Sequence, residues 1–316
     1  SPYRSLASDY DADTGAIFGE VEYQFSQKTS LVLGGRLEER SMNYSDSNGA
    51  ILSPNNSMYG GSFSLKHHLQ ENVTTYGTIS RGFKGGGVNP GTTVPDELRE
   101  YKPESLVNSE LGIKGDFFNG RLILDTAVFY MVRGEAQLKF AFQNDPQDPL
   151  SFTYITQSAA EGRSYGAETR FNIEISDSVD IFGSGSILET EYTKVPQGNI
   201  NLLGRESSHS PSWQYSLGFK NKFTESLYGV VDVQGRDSFY FDDSHDQKSD
   251  SYFLLNTLVG FNLANFTFSV WAKNILDEEY AVRGFFFGVE PPNFEPNEYV
   301  QLGDPRTFGV TASFRF

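Results

Sequence analysis

The chain of 316 residues has no cysteine, which removes disulfide scaffolds and thiolate chemistry, whether metal-ligating or nucleophilic, from consideration. It is short of positive charge: 25 Lys and Arg stand against 41 Asp and Glu, a formal net charge of −16, which argues against a nucleic-acid-binding surface. No run of about 18 apolar residues occurs, so no transmembrane helix is encoded. The opening "SPYRSLASDYDADTG" lacks the apolar core of a signal peptide. Hydrophobic residues reach only 38%, yet the chain carries 27 Phe, 17 Tyr and 31 Gly. Large flat side chains with small spacers suit pleated sheets better than helices.

Alternation is the dominant pattern. In "TFGVTASFRF", Phe308, Val310, Ala312, Phe314 and Phe316 share one face, and Thr307, Gly309, Thr311, Ser313 and Arg315 share the other. The same period of two runs through "WQYSLGFKNKF", "YGAETRFNIEI" and "SYFLLNTLVGFNL", and through "NFTFSVWAKN" except at Trp271. Period two over ten or more residues marks a strand with one dry face. About thirteen strands are expected, at 14–25, 29–43, 57–69, 73–83, 103–117, 121–142, 151–176, 178–193, 211–223, 226–241, 250–263, 265–277 and 305–316. The connections between them alternate. "SQKT", "QEN", "FFNG", "SDS", "TES" and "LAN" are tight, whereas 44–56, 84–102, 143–150, 194–210, 242–249 and 278–304 are long. Short turns on one edge and long loops on the other is the layout of an antiparallel transmembrane β-barrel. A soluble sandwich would turn its dry faces into a core and would rarely need strands so long. An odd count leaves the two ends of the sheet on opposite sides, so residues 1–13 read as the tail of an external loop. The chain itself is expected to be the C-terminal part of one larger barrel.

Several segments together resemble the C-terminal barrel portion of TonB-dependent outer-membrane receptors. They are "YGTISRGFKGGGVNP", "YKPESLVNSELGIKGDFFNGRLILDTAVFY", "GRSYGAETRFN", "SPSWQYSLGFKNKF", and "FTFSVWAKNILDEEYAVRGFFFG" followed by "LGDPRTFGVTASFRF". The last pair carries Asn274, Asp277, Tyr280, Gly303, Pro305, Arg306 and the final Phe316. The resemblance implies a 22-stranded barrel around an N-terminal plug, in the bacterial cell outer membrane, surrounded by lipid and lipopolysaccharide. It implies uptake of a scarce ligand driven by the inner-membrane TonB complex, most often a ferric siderophore, with no cofactor, no nucleic-acid partner and no enzymatic activity. Neither plug nor TonB box is present in these 316 residues, so the energy-coupling segment is expected to lie elsewhere and this portion alone should not transport. Phe314 and Phe316 resemble the signal read by the outer-membrane assembly machinery; the alternative is that Phe316 only joins an aromatic belt.

"RGFKGGGVNPG" lacks the following helix that a phosphate loop needs. Gly85, Gly86 and Gly87 are therefore expected to give the backbone freedom near the rim, with Arg81 and Lys84 facing a plug or an anionic ligand. His67 and His68 are adjacent on a strand and point to opposite faces, so they cannot chelate together. Asp242, Asp243 and Asp246 are weak calcium candidates, because their spacing does not fit an EF-hand and a solvated acidic loop explains them. The loop with Tyr280, Arg283, Phe285, Phe286, Phe287 and Tyr299 is the best ligand candidate, since aromatics with an Arg suit an anionic chelate. Tyr44 offers further polar contact. No Ser/His/Asp constellation suggests catalysis. A passive porin-like channel and a barrel enzyme or adhesin remain as alternatives; a plug preceded by a TonB box elsewhere in the protein would favour energy-coupled uptake, and their absence the porin-like channel.

Overall fold

A computed structural model describes residues 6–91, 94–143, 151–196, 200–288 and 290–316. Thirteen long strands follow one another in chain order within a single antiparallel sheet. They are β1 (Ser8–Ser26), β2 (Thr29–Asp46), β3 (Asn55–Gln70), β4 (Val73–Lys84), β5 (Glu104–Phe117), β6 (Leu122–Gln143), β7 (Phe152–Ser176), β8 (Val179–Lys194), β9 (Trp213–Lys222), β10 (Leu227–Arg236), β11 (Tyr252–Leu263), β12 (Phe266–Lys273) and β13 (Thr307–Phe314). Each expected strand has its counterpart. Helical structure among the described residues is confined to two 3₁₀ turns, Asp96–Leu98 and Ile200–Leu202. Tight turns and long connections alternate along the whole sheet. The turn "FFNG" is closed by three left-handed residues, Phe118, Asn119 and Gly120, with φ of 54°, 59° and 90°.

Register explains why the pattern is so regular. Leu111, Val128, Ala167, Ile187 and Trp213 lie directly opposite one another across β5 to β9. Val259, Val270 and Val310 do the same across β11 to β13. On the other face, Lys114, Asp125, Arg170, Ser184, Ser216 and Gln234 form an equally continuous polar row. A slip of one residue anywhere would put charge into the apolar row, so the pairing is strongly specified. The apolar face is uncovered: Ile17, Phe308 and Val310 are each more than 70% exposed. An apolar surface this wide is stable against acyl chains and not against water. Among the described residues, the outer side of β1 and the outer side of β13 have no partner strand.

Two expectations about boundaries are corrected. Residues 8–13, read as the tail of a loop, belong to β1 and pair with β2 from Ser8–Asp46 onward. Both faces of that end carry polar residues, so alternation has nothing to report there. The long final loop is also not irregular throughout, since Ala281–Phe287 and Asn297–Leu302 pair as an antiparallel ribbon. The expected long connection at 143–150 lies almost wholly outside the described residues.

Trp271, which interrupts the apolar alternation, has a reason to do so. It points to the polar face, donates its indole N–H to Thr311 Oγ1 at 3.2 Å, and lies over Gly309, its direct cross-strand partner. The same arrangement recurs on the polar face in Tyr76 over Gly112, Phe129 over Gly166, Phe182 over Gly218 and Tyr228 over Gly260. In each pair the aromatic precedes a long connection and the glycine follows it. The ring fills the space a side chain would take and covers the bare backbone of the glycine strand. Gly218→Leu is expected to drive a side chain into the Phe182 ring and lower stability by roughly 1–3 kcal/mol. Gly35→Ala, where an added methyl meets nothing within 4 Å, should change it little. Urea titration of the two variants in lipid vesicles, read by tryptophan fluorescence, checks this, with equal midpoints counting against the packing role.

Candidate functional site

The long-connection edge carries the chemistry, and its last loop is held by a clasp. Asn274 (φ 47°) is buried. Its side-chain amide donates to the carbonyls of Glu278 and Asp304 at 2.9 and 3.2 Å, and its Oδ1 accepts the N–H of Glu278 at 2.9 Å. Asp277 accepts the backbone N–H of Arg306 at 3.0 Å and its guanidinium at 3.3 Å. The Tyr280 ring covers Gly303 and meets Tyr252 with centroids 4.5 Å apart. The two feet of the loop, 274–280 and 303–306, are thereby joined. These are the residues that carried the sequence resemblance at this end.

The ribbon above the clasp separates the three consecutive phenylalanines. Arg283 sits over Phe285 at 4.9 Å, Phe285 meets Phe287 edge-on at 6.3 Å, and Phe287 meets Tyr299 at 5.3 Å. Tyr299 donates to Glu290 Oε1 at 3.2 Å. Phe286 points the other way, toward His245 at 5.9 Å. Of the residues expected in one ligand-binding loop, Arg283, Phe285, Phe287 and Tyr299 come together; Phe286 and Tyr280 serve packing.

The acidic loop is occupied by protein contacts. Asp246 accepts from Arg205 Nη1 at 2.7 Å. Asp243 accepts from the Tyr192 hydroxyl at 3.0 Å and the Ser208 N–H at 3.3 Å, and Asp242 accepts from Ser244. Arg205 and Lys248 both lie 4.0 Å from the centre of the Tyr240 ring. No group of three or more potential ligands among the described residues is arranged to hold a metal ion. His67 and His68 bond to different strands, through Thr29 and Thr74, each at 2.9 Å.

A second cluster forms where β1, β2 and β4 meet the 85–103 connection. A cavity of about 550 Å³ is lined by Tyr10, Arg40, Tyr44, Lys84, Gly85, Gly86, Gly87, Tyr101, Gln137 and Lys139, among others. The glycines are needed for close approach and not for a left-handed turn, since none of the three has a positive φ. A β-carbon on Gly85 would sit 3.0 Å from Arg40 Nη1, and one on Gly87 would enter the Tyr101 ring. Gln137 holds this connection by donating to the carbonyls of Gly85 and Lys102 at 2.9 and 3.0 Å. Asn89, buried, binds both the N–H and the carbonyl of Thr156. Burial raises the Tyr101 hydroxyl above its ordinary pKa, so it stays a neutral donor. Of the expected residues, Tyr44 and Lys84 belong here.

Arg81 does not. Its register places it on the apolar side with Gly61 and Val107, where its guanidinium covers the Tyr59 ring at 3.8 Å and donates to the Tyr59 carbonyl. Sequence reasoning missed Tyr10, Arg40, Tyr101 and Lys139. Parity alone would have placed Arg40 on the polar face with Arg36 and Glu38. Lys139 lies past a register shift near Glu135 (φ 51°), beyond which parity gives no guidance.

The comparisons with known proteins agree with this architecture. The family described as "TonB dependent receptor-like, beta-barrel" matches residues 1–275. The chain belongs to that family. The barrel is 25% identical over 251 residues to the metal-pseudopaline receptor CntO of Pseudomonas aeruginosa, covering 77% of this chain and 32% of that protein. It is 22% identical over 335 residues to the pesticin receptor of Yersinia pestis, covering 100% and 46%. The solved structure of the ferric yersiniabactin uptake receptor FyuA from Yersinia pestis superposes with a TM-score of 0.79 at 18% identity, over 98% of this chain and 47% of that one. The copper transporter OprC gives 0.74 at 12% identity, over 98% and 48%. The chain thus spans half or less of the length of these relatives, and it belongs to a family of transport receptors, not enzymes.

His245 is expected to make the packing of this edge sensitive to pH. Burial holds its imidazole below the ordinary histidine pKa, with Arg205 reinforcing and Asp242 opposing the shift. The neutral form is favoured when the loop is packed. That packing is intact above ~6.5 and weakens as the pH falls through the lowered value. Trypsin should therefore cut at Lys248 faster at pH 5 than at pH 7.5, relative to a peptide control. His245→Asn should level the difference; a persistent difference in that variant would assign the effect elsewhere.

Proposed function

We propose that the protein is a receptor of the bacterial outer membrane that takes up a scarce ligand, a ferric siderophore, with energy supplied through the TonB complex. The observation that carries this reading is the ribbon face at the long-loop edge. There one cation, Arg283, stands with Phe285, Phe287 and Tyr299 on a scaffold fixed by the Asn274–Asp277–Arg306 clasp. Aromatic faces suit the organic part of a metal chelate and the guanidinium suits its charge. The relatives' own names support a metal-bearing ligand, since two refer to metal-pseudopaline and ferric yersiniabactin. The apolar wall would face lipid and lipopolysaccharide. Coupling to TonB belongs to parts of the receptor beyond this barrel segment. Phe314, paired with Phe266, and the fully exposed Phe316 would be read by the assembly machinery.

Cells carrying the whole receptor under iron limitation are expected to accumulate radioiron supplied as its siderophore, and to stop when the proton gradient is collapsed. Arg283→Gln should weaken binding without lowering receptor abundance. Accumulation that survives loss of the gradient would replace active transport with passive diffusion.

A further inference from the structure

The cavity between the long-connection ends of β1, β2 and β4 and the 85–103 connection is charged against the trend of the molecule. In a chain of net charge −16 its wall carries three cations, Arg40, Lys84 and Lys139, and no carboxylate. None of the three has an ion-pair partner among the described residues. Several cations elsewhere are matched, among them Arg36 with Glu38, Arg133 with Glu104, Arg163 with Glu191 and Arg205 with Asp246. Tyr10, Tyr44 and Tyr101 complete the wall. Tyr10 accepts from Arg40 Nη2 at 3.1 Å, which fixes the guanidinium, while Tyr44 donates to Asp46 at 3.0 Å and presents its ring.

We propose that this cavity binds a multiply charged anionic chelate, its carboxylate or phenolate oxygens held by Arg40, Lys84 and Lys139 and its carbon skeleton resting on the tyrosine rings. The volume lies within the range of small-molecule sites. Unpaired cations placed around a cavity without carboxylates repel cationic ligands and attract anionic ones, and a guanidinium can bind a carboxylate through two parallel hydrogen bonds. The inference deepens the uptake reading: it fixes the charge class of the ligand. It rests on that reading only for the ligand being a metal chelate, since binding is measured apart from transport.

The test uses the whole receptor in detergent with two probes of one metal ion, gallium citrate, an anionic polycarboxylate chelate, and gallium desferrioxamine B, a cationic trishydroxamate. Acylation of surface lysines is followed by mass spectrometry. Millimolar gallium citrate should protect Lys84 and Lys139, and the cationic chelate should not. Lys84→Gln, Lys139→Gln and Arg40→Gln should each weaken the citrate complex by roughly tenfold. Raising the salt should weaken it further. Lys84 and Lys139 are exposed, so their substitution leaves the wall intact. Absence of protection by gallium citrate, equal protection by both chelates, or affinity unchanged in the two lysine variants would overturn the proposal. Uptake that proves independent of the proton gradient would instead overturn the transport reading and leave this one standing.

Discussion

A peptide group in hydrocarbon has no water to bond, so every N–H and C=O that enters the membrane needs a partner from the protein itself. The rest of this structure follows from that constraint. It makes the sheet continuous and antiparallel, with neighbours in sequence paired through tight turns and long connections in alternation. It leaves side chains as the only variable, one set for acyl chains and one for the wet interior. The register converts this into extended rows, so that Leu111 and Trp213, more than a hundred residues apart, belong to a single apolar line. The aromatic–glycine pairs of the polar face serve the same end. Glycine lets the wall be thin, and a ring such as Phe182 or Tyr228 shields the backbone that glycine exposes.

Above the membrane the constraint relaxes, and water competes for every polar group. There the structure relies on specific contacts. Asn274 satisfies three backbone groups across the neck of the last loop, and Arg205 draws the 195–212 and 237–251 connections together. A small apolar cluster of Ala136, Leu138, Phe140, Ala160, Tyr192 and Leu202 packs where β6, β7 and β8 rise above the rows of the wall. The loops are consequently shaped surfaces, and the ribbon with Arg283 and the cavity with Arg40 are held at defined positions.

Legibility in the sequence tracks this division. Where one face met lipid, alternation reported the strands, and all thirteen have their counterpart, although the strand expected at 226–241 ends at Arg236 and that at 265–277 ends at Lys273. Where both faces are wet, as at Ser8–Asp13, the chain carries no period and the strand was invisible. Parity also set the limits for individual residues. Arg81 was drawn toward a ligand because arginine suits anions, yet its register puts it on the apolar side over Tyr59. Phe285, Phe286 and Phe287 could not be divided between faces until the ribbon pairing with Asn297–Leu302 was known. The Arg40 cavity draws on β1, β2, β4, β6 and the 85–103 connection, and no short window contains it.

The charge of the molecule and the charge of its cavities answer different demands. A net −16 spread over walls and loops keeps a protein soluble in its wet compartments and sets no preference for one small ligand. Recognition is local, because the Debye length is ~8 Å at physiological ionic strength and distant carboxylates are screened. The side chains that line the Arg40 cavity include three cations and no carboxylate, while Asp46 and Glu104 lie behind the wall, engaged by Tyr44 and Gln137. The acidic background then adds selectivity, since an anion gains little by resting on the surrounding walls and gains most where carboxylates are absent. A barrel of this composition can thus be repulsive to anions overall and still concentrate them at one place, and that place is where the loop glycines allow Arg40, Lys84 and Tyr101 to approach one another.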